Sequence, residues 1–150
     1  MTGLTAAGVL ASFLSTLSYA VLSGVPLRAL FPAGLGGALA WTVYSIGSAA
    51  GIGPVASTFA GALSSAFLAE GLARRMRMPA TLFQLSGIIP LVPGTTAFAT
   101  MRDFVTGDYQ RGLADGTMTG FLAGAIAAGL VFAGTAVRGL GRRARDRQAH

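Results

Sequence analysis

The residues best suited to chemistry lie together in the stretch Pro90-Leu91-Val92-Pro93-Gly94-Thr95-Thr96. Two prolines and a glycine cannot share a regular helix, because proline lacks the N–H donor and clashes with the preceding turn. The chain is expected to unwind over residues 90–96, with Thr95 and Thr96 as N-cap candidates for a helix that resumes beyond them. Such a helix start presents unpaired N–H groups, hydroxyls and the positive end of the helix dipole, a combination that binds carboxylates. Gly94 is expected to supply a positive φ and a close backbone approach that any side chain would block. The plainer alternative is a proline kink whose threonines bond back to their own helix.

Further polar residues flank this stretch. Gln84 and Ser86 precede the break by roughly one to two turns, where they would either line a cavity or bond a neighbouring helix. Arg102 and Asp103 follow it, about a turn inside the expected interface; they face a partner or a pathway, or else snorkel outward. Asp108, after Gly107, reads as a turn residue and cap for the next segment. Glu70 is the only acid in the first hundred residues. With Arg74 at i+4 it reads as an interfacial ion pair, and it is also the leading candidate for a proton site. The chain has no cysteine, and its one histidine is the terminal His150. No catalytic residue, metal site or cofactor is therefore expected, and no span carries a pair of acids for acid–base work.

The elements that must position these groups are membrane helices. Only 11% of the 150 residues are charged and 53% are hydrophobic, whereas a soluble domain carries roughly 25% charged residues. Uncharged runs cover residues 1–27, 29–69, 78–101 and 116–137, each long enough for a span of ~20 residues. A soluble enzyme is excluded. The run 29–69 divides at Gly51, Gly53 and Pro54. Five spans result, all α-helical: Leu4 to Leu22, Ala29 to Ser48, Pro54 to Leu72, a fourth from about Pro79, and Gly116 to Val137. The first lacks the basic flank of a cleaved signal and is read as a retained helix. The fourth is the broken one, with arms of ~16 and ~15 Å on either side of the break. Together these arms match a ~30 Å hydrocarbon core. The break should then lie near mid-membrane, where irregular backbone must be buried or face water.

All eleven basic residues are arginine, and the net charge is +6. A basic balance could signal nucleic acid, but five arginines lie just beyond the last span, in a tail spanning residues 138–150. That is a topology signal and a contact for the lipid bilayer, so no nucleic-acid partner is expected. Nine arginines fall on one side of the membrane, against Arg102 and Arg111 on the other. The N-terminus is expected outside and the C-terminus in the cytoplasm of a bacterial inner membrane. Residues 1–137 form the membrane domain. Small residues recur every fourth position along the third span, at Ser57, Gly61, Ser65 and Ala69, and Gly47/Gly51 and Gly120/Gly124 form GxxxG pairs. These suit close helix packing, within the chain, with a partner or between copies.

Three stretches carry a family resemblance: Val25-Pro26-Leu27-Arg28-Ala29-Leu30, Ser57-Thr58-Phe59-Ala60-Gly61, and Pro79 through Gly87-Ile88-Ile89-Pro90-Leu91-Val92-Pro93-Gly94 to Met101. Over roughly residues 20–137 the sequence resembles the small membrane component of the threonine/serine exporter family (ThrE type). The resemblance implies secondary transport by two related membrane domains, the larger carrying a similar Pro-Gly, Arg-Asp and Gly-Asp-Tyr pattern. It agrees with an odd span count and no visible internal repeat, which suggest that a second half lies elsewhere. It leaves the substrate open between small amino acids and small dicarboxylates. The leading function is a membrane subunit exporting small carboxylate-bearing metabolites without ATP. The alternative is a structural or assembly subunit that never touches substrate.

Overall fold

The computed structural model describes residues 6–146, with side chains through residue 139. The chain runs through α1 (Ala6–Leu22), α2 (Leu27–Ala49), α3 (Pro54–Met76), α4 (Ala80–Ile88), a 3-10 turn (Ile89–Leu91), α5 (Gly94–Thr106) and α6 (Tyr109–Asp146). The described residues contain no strand. The boundaries follow local chemistry. Gly51 and Gly53 take positive φ, +76° and +87°, to close α2 and open α3 at Pro54, a conformation that glycine adopts without a Cβ penalty. Gly107, at φ +86°, ends α5. Asp108 then caps α6, its Oδ1 accepting the Arg111 N–H at 3.2 Å.

α6 begins at Tyr109 rather than near Gly116, because Asp108 starts it and two glycines let it lie on α5. A Cβ on Gly112 would stand 3.1 Å from the Phe104 ring, and one on Gly116 3.2 Å from Thr100. The helix also continues past Val137 to Asp146, so the arginine-rich tail extends the last span as helix. Residues 1–5 and 147–150, with Arg147 and His150, lie outside the described residues.

Three helices are long and apolar enough to cross a membrane: α2, α3 and the stretch Tyr109–Gly139 of α6. The arms Ala80–Leu91 and Gly94–Thr106 form a fourth, bent by 56°. α1, an apolar helix of 17 residues, sits at the short end of the spanning range. The protein is thus an all-α, multi-pass membrane protein with its fourth span broken.

Packing is the inverse of a soluble core. Interior positions are mostly small, including Ala29, Ala33, Ala40, Ala62 and Ala66, while Leu14, Phe98, Val105, Phe121 and Phe132 are at least 60% exposed. Lipid tails are as apolar as leucine, so large side chains gain little by leaving them, and helices associate by close approach instead. Ser57, Gly61, Ser65 and Ala69 are all buried on α3. Where α2, α3 and α4 meet, Gly36 of α2 and Gly87 of α4 approach the Ser65 hydroxyl, and a Cβ on Gly61 would stand 2.8 Å from the Ala40 carbonyl. Gly47 likewise packs on Ser57, whereas Gly51 serves the turn. Gly120 and Gly124 have no neighbour within 4 Å of a Cβ position and line an open apolar groove with Pro54, Phe59 and Phe121.

Candidate functional site

The break is tighter than residues 90–96 suggest. Pro90 fits inside the 3-10 turn, and α5 resumes at Gly94, leaving Val92 extended (φ −60°, ψ 126°) and Pro93 at φ −77°, ψ 54°. These angles make Pro93 the centre of an inverse γ-turn, closed by the Gly94 N–H donating to Val92 O at 2.8 Å. The N-cap is therefore Pro93, not Thr95 or Thr96, and no side chain caps the helix. The threonines occupy the first turn because a γ-turn reverses the chain in three residues and lets helical geometry restart immediately. Nor does Gly94 take a positive φ; its Cβ position is open, with nothing within 4 Å.

The expected donors survive this change of register. The Ala97 N–H closes the first α-helical bond to Pro93 O at 3.0 Å, so the N–H groups of Thr95 and Thr96, which precede it, have no acceptor within the helix. The Thr96 hydroxyl donates to Pro93 O at 3.1 Å. The two threonines thus part ways: Thr96 bonds back to its own helix, and the Thr95 hydroxyl has no hydrogen-bond partner among the described residues. Beside them is a cavity of about 260 Å³ lined by Pro90, Pro93, Thr95 and Thr96 together with Trp41 and Tyr44 of α2, Thr58 of α3 and Leu122 of α6. The Trp41 and Tyr44 rings lie 5.6 Å apart. Trp41, Tyr44 and the start of α5 therefore line one small space that has no acidic residue.

Sequence reasoning missed Trp41, Tyr44 and Thr58. The available signal was that Trp41 is the single tryptophan of the chain, and an indole inside a span needs a polar partner for its N–H.

The remaining candidates lie elsewhere. Ser86 is fully buried between helices and donates to Leu82 O at 2.8 Å. Gln84 and Glu70 line a second cavity at the arginine-rich end of α3, where Gln84 Nε2 donates to Glu70 Oε1 at 3.3 Å. Glu70 does not pair with Arg74 as its i+4 spacing suggests; Arg74 Nη2 instead donates to Val137 O at 3.1 Å. The carbonyl on α6 lies within reach of the long arginine side chain, and Gln84 meets the carboxylate from α4. At the far end of α5, Arg102 Nε and Nη2 both donate to Asp103 Oδ1, at 3.0 and 2.9 Å. The Asp103 side chain is 8% exposed and that of Arg102 61%, so the pair joins a buried acid to an outward-facing cation.

The described residues thus form a bundle of apolar helices with one broken span beside a small cavity. The chain belongs to the threonine/serine exporter family: the family model described as "Threonine/Serine exporter, ThrE" matches residues 8–136. It is similar to a protein of Mycobacterium tuberculosis (strain ATCC 25618 / H37Rv) named "Probable threonine/serine exporter", with 34% identity over 135 residues, covering 85% of this chain and 25% of the relative. The chain thus spans about a quarter of the length of that relative. No solved structure matches.

Proposed function

We propose that this chain is a membrane-embedded part of a secondary exporter of small carboxylate-bearing metabolites, with threonine- and serine-type amino acids first and small dicarboxylates second. It works with a larger, related membrane domain, and the cavity at the break receives the substrate carboxylate. The observation that carries this reading is that Trp41, Tyr44, Thr95 and Thr96 line one cavity at the start of α5, where the first-turn N–H groups have no acceptor within the helix. Donors of this kind at a helix start hold a carboxylate. Arg102, Asp103 and Glu70 are the ionisable groups available to couple export to an ion gradient. The role is transport and not catalysis, in a bacterial inner membrane with the N-terminus outside and the C-terminus in the cytoplasm.

The need for a partner is supported by α5, whose main contact is with α6 and whose Phe98, Met101 and Val105 are exposed.

Substitution of Thr95 tests the reading. Thr95→Ala removes one charge-assisted hydrogen bond worth ~1.5–3 kcal/mol, about ten- to a hundredfold in apparent affinity. Thr95→Ser restores the hydroxyl and should restore export. Thr96→Ala should cost less, because that hydroxyl is already bonded to Pro93 O. Normal threonine and serine efflux by Thr95→Ala would refute the site, and loss of complex assembly in place of transport would favour a scaffold.

A further inference from the structure

The second cavity has a chemistry that the break lacks. It measures about 470 Å³, within the range of small-molecule sites, and is lined by Glu70, Thr81, Gln84, Leu130, Gly134 and Arg138. Glu70 makes no ion pair among the described residues: its hydrogen bond comes from Gln84, and Arg74 on its own helix is engaged with Val137 O. Arg138 uses Nε on Gly134 O at 3.0 Å. Its Nη2 lies 3.1 Å from the place where a Cβ on Gly134 would stand, and Glu70 Oε1 lies 3.9 Å from that same place. A carboxylate and a guanidinium thus face each other across the space beside a glycine, close but not paired.

This spacing suits a ligand that carries both charges. An ammonium satisfies Glu70 and a carboxylate satisfies Arg138, each through a charge-assisted hydrogen bond. A dicarboxylate would place its second negative charge against Glu70. The geometry points to a second substrate station at the arginine-rich end of the bundle, where Glu70 takes the α-ammonium and Arg138 the α-carboxylate of a zwitterionic amino acid.

The station is set apart from the break by an apolar seal. Ala40, Ala62, Leu91 and Ile126 form one buried cluster with Tyr44, Ile88 and Leu130 against it. Leu91 and Tyr44 of this cluster line the break cavity, and Leu130 lines the Glu70 cavity. Along α3 the step from Thr58 to Glu70 is roughly 18 Å. Two stations with a packed barrier between them make a route that opens in stages, and the inference rests on the exporter reading above.

The test places a single reporter cysteine in each cavity, Thr81→Cys or Leu122→Cys, in the otherwise cysteine-free chain, and follows maleimide labelling in membranes of the native host. The probes are L-threonine, N-acetyl-L-threonine, L-threonine methyl ester and succinate. L-Threonine should protect Thr81→Cys at least tenfold better than the three probes that lack one end or carry two acids. Adding Glu70→Gln should erase this preference over the N-acetyl compound, and Arg138→Gln the preference over the ester, while Arg138→Lys retains it. Equal protection by succinate, or protection by L-threonine that survives both Glu70→Gln and Arg138→Gln, would overturn the station. Because the ligand series is read on the Thr81→Cys chain itself, misfolding of a charge variant leaves the comparison among ligands intact. Protection at Leu122→Cys without protection at Thr81→Cys would defeat this inference alone; protection at neither would defeat the exporter reading with it.

Discussion

Replacing Gly61 with alanine adds a single methyl group where α3 lies against the backbone of α2. The new Cβ would lie 2.8 Å from the Ala40 carbonyl oxygen and 3.1 Å from Leu91 Cδ1. A leucine methyl can turn aside, but a carbonyl in the middle of α2 moves only if the helix moves. Overpacking of this kind costs typically 1–3 kcal/mol, and here the displacement falls on Ala40 and Leu91, both part of the seal between the two cavities. Gly124→Ala is the matched control, since its Cβ would meet nothing within 4 Å. Without a packing clash, alanine is the better helix former by up to ~1 kcal/mol. Reversible unfolding of both variants in detergent or bicelles, compared with the parent chain, measures the difference. Gly61→Ala should be less stable than Gly124→Ala by at least ~1 kcal/mol, with Gly124→Ala as stable as the parent chain or more so. The opposite order would show that α3 does not pack on α2 as described, and the seal between the cavities would fall with it.

Other outcomes follow from separate features. Trp41 is the single tryptophan and lines the break cavity, so L-threonine or L-serine should shift the intrinsic emission of the purified protein saturably; a silent Trp41 under transporting conditions would place the substrate elsewhere. Arg77 ends α3 in the left-handed region at φ 55°, a conformation costing a residue with a Cβ roughly 1–2 kcal/mol, so Arg77→Gly should raise the unfolding free energy by up to about that amount. An unchanged or lowered value would show that the strain is offset by the side chain. For topology, Thr2→Cys should react with an impermeant thiol reagent in intact cells and Ala149→Cys should not, as the nine-to-two division of arginines requires; the reverse pattern would invert the orientation. The chain alone, reconstituted as a monomer, should show no substrate-specific efflux, and robust efflux would refute the need for a second domain.

Membrane class, helical content and the existence of the break are legible in the amino-acid string. They follow from local rules: charge-free runs of span length, glycines at turns, and prolines that no helix interior accepts. The terminators Gly107 and Asp108 are legible for the same reason, since each acts on residues beside it. The resemblance at Gly87 through Gly94 is likewise a property of the string and needs no coordinates. Which helix meets which is a matter of packing, and local rules do not reach it. Glu70 has Arg74 one turn away in sequence, yet its hydrogen bond comes from Gln84 of α4, and Arg138 of α6 lines the same cavity. Trp41, Tyr44 and Thr58 join the break only because α2 and α3 pack beside it. In a chain this rich in glycine and alanine, small-residue spacing occurs on many faces, and it cannot say which of them touch. Gly61 and Gly124 look alike in sequence; one abuts a carbonyl and the other an open groove. Even the register at the break is a tertiary-scale detail, because a γ-turn at Pro93 and a longer unwinding satisfy the same prolines. The distinction sets Thr95 free and ties Thr96 down, and it depends on where α5 must start in order to lie along α6.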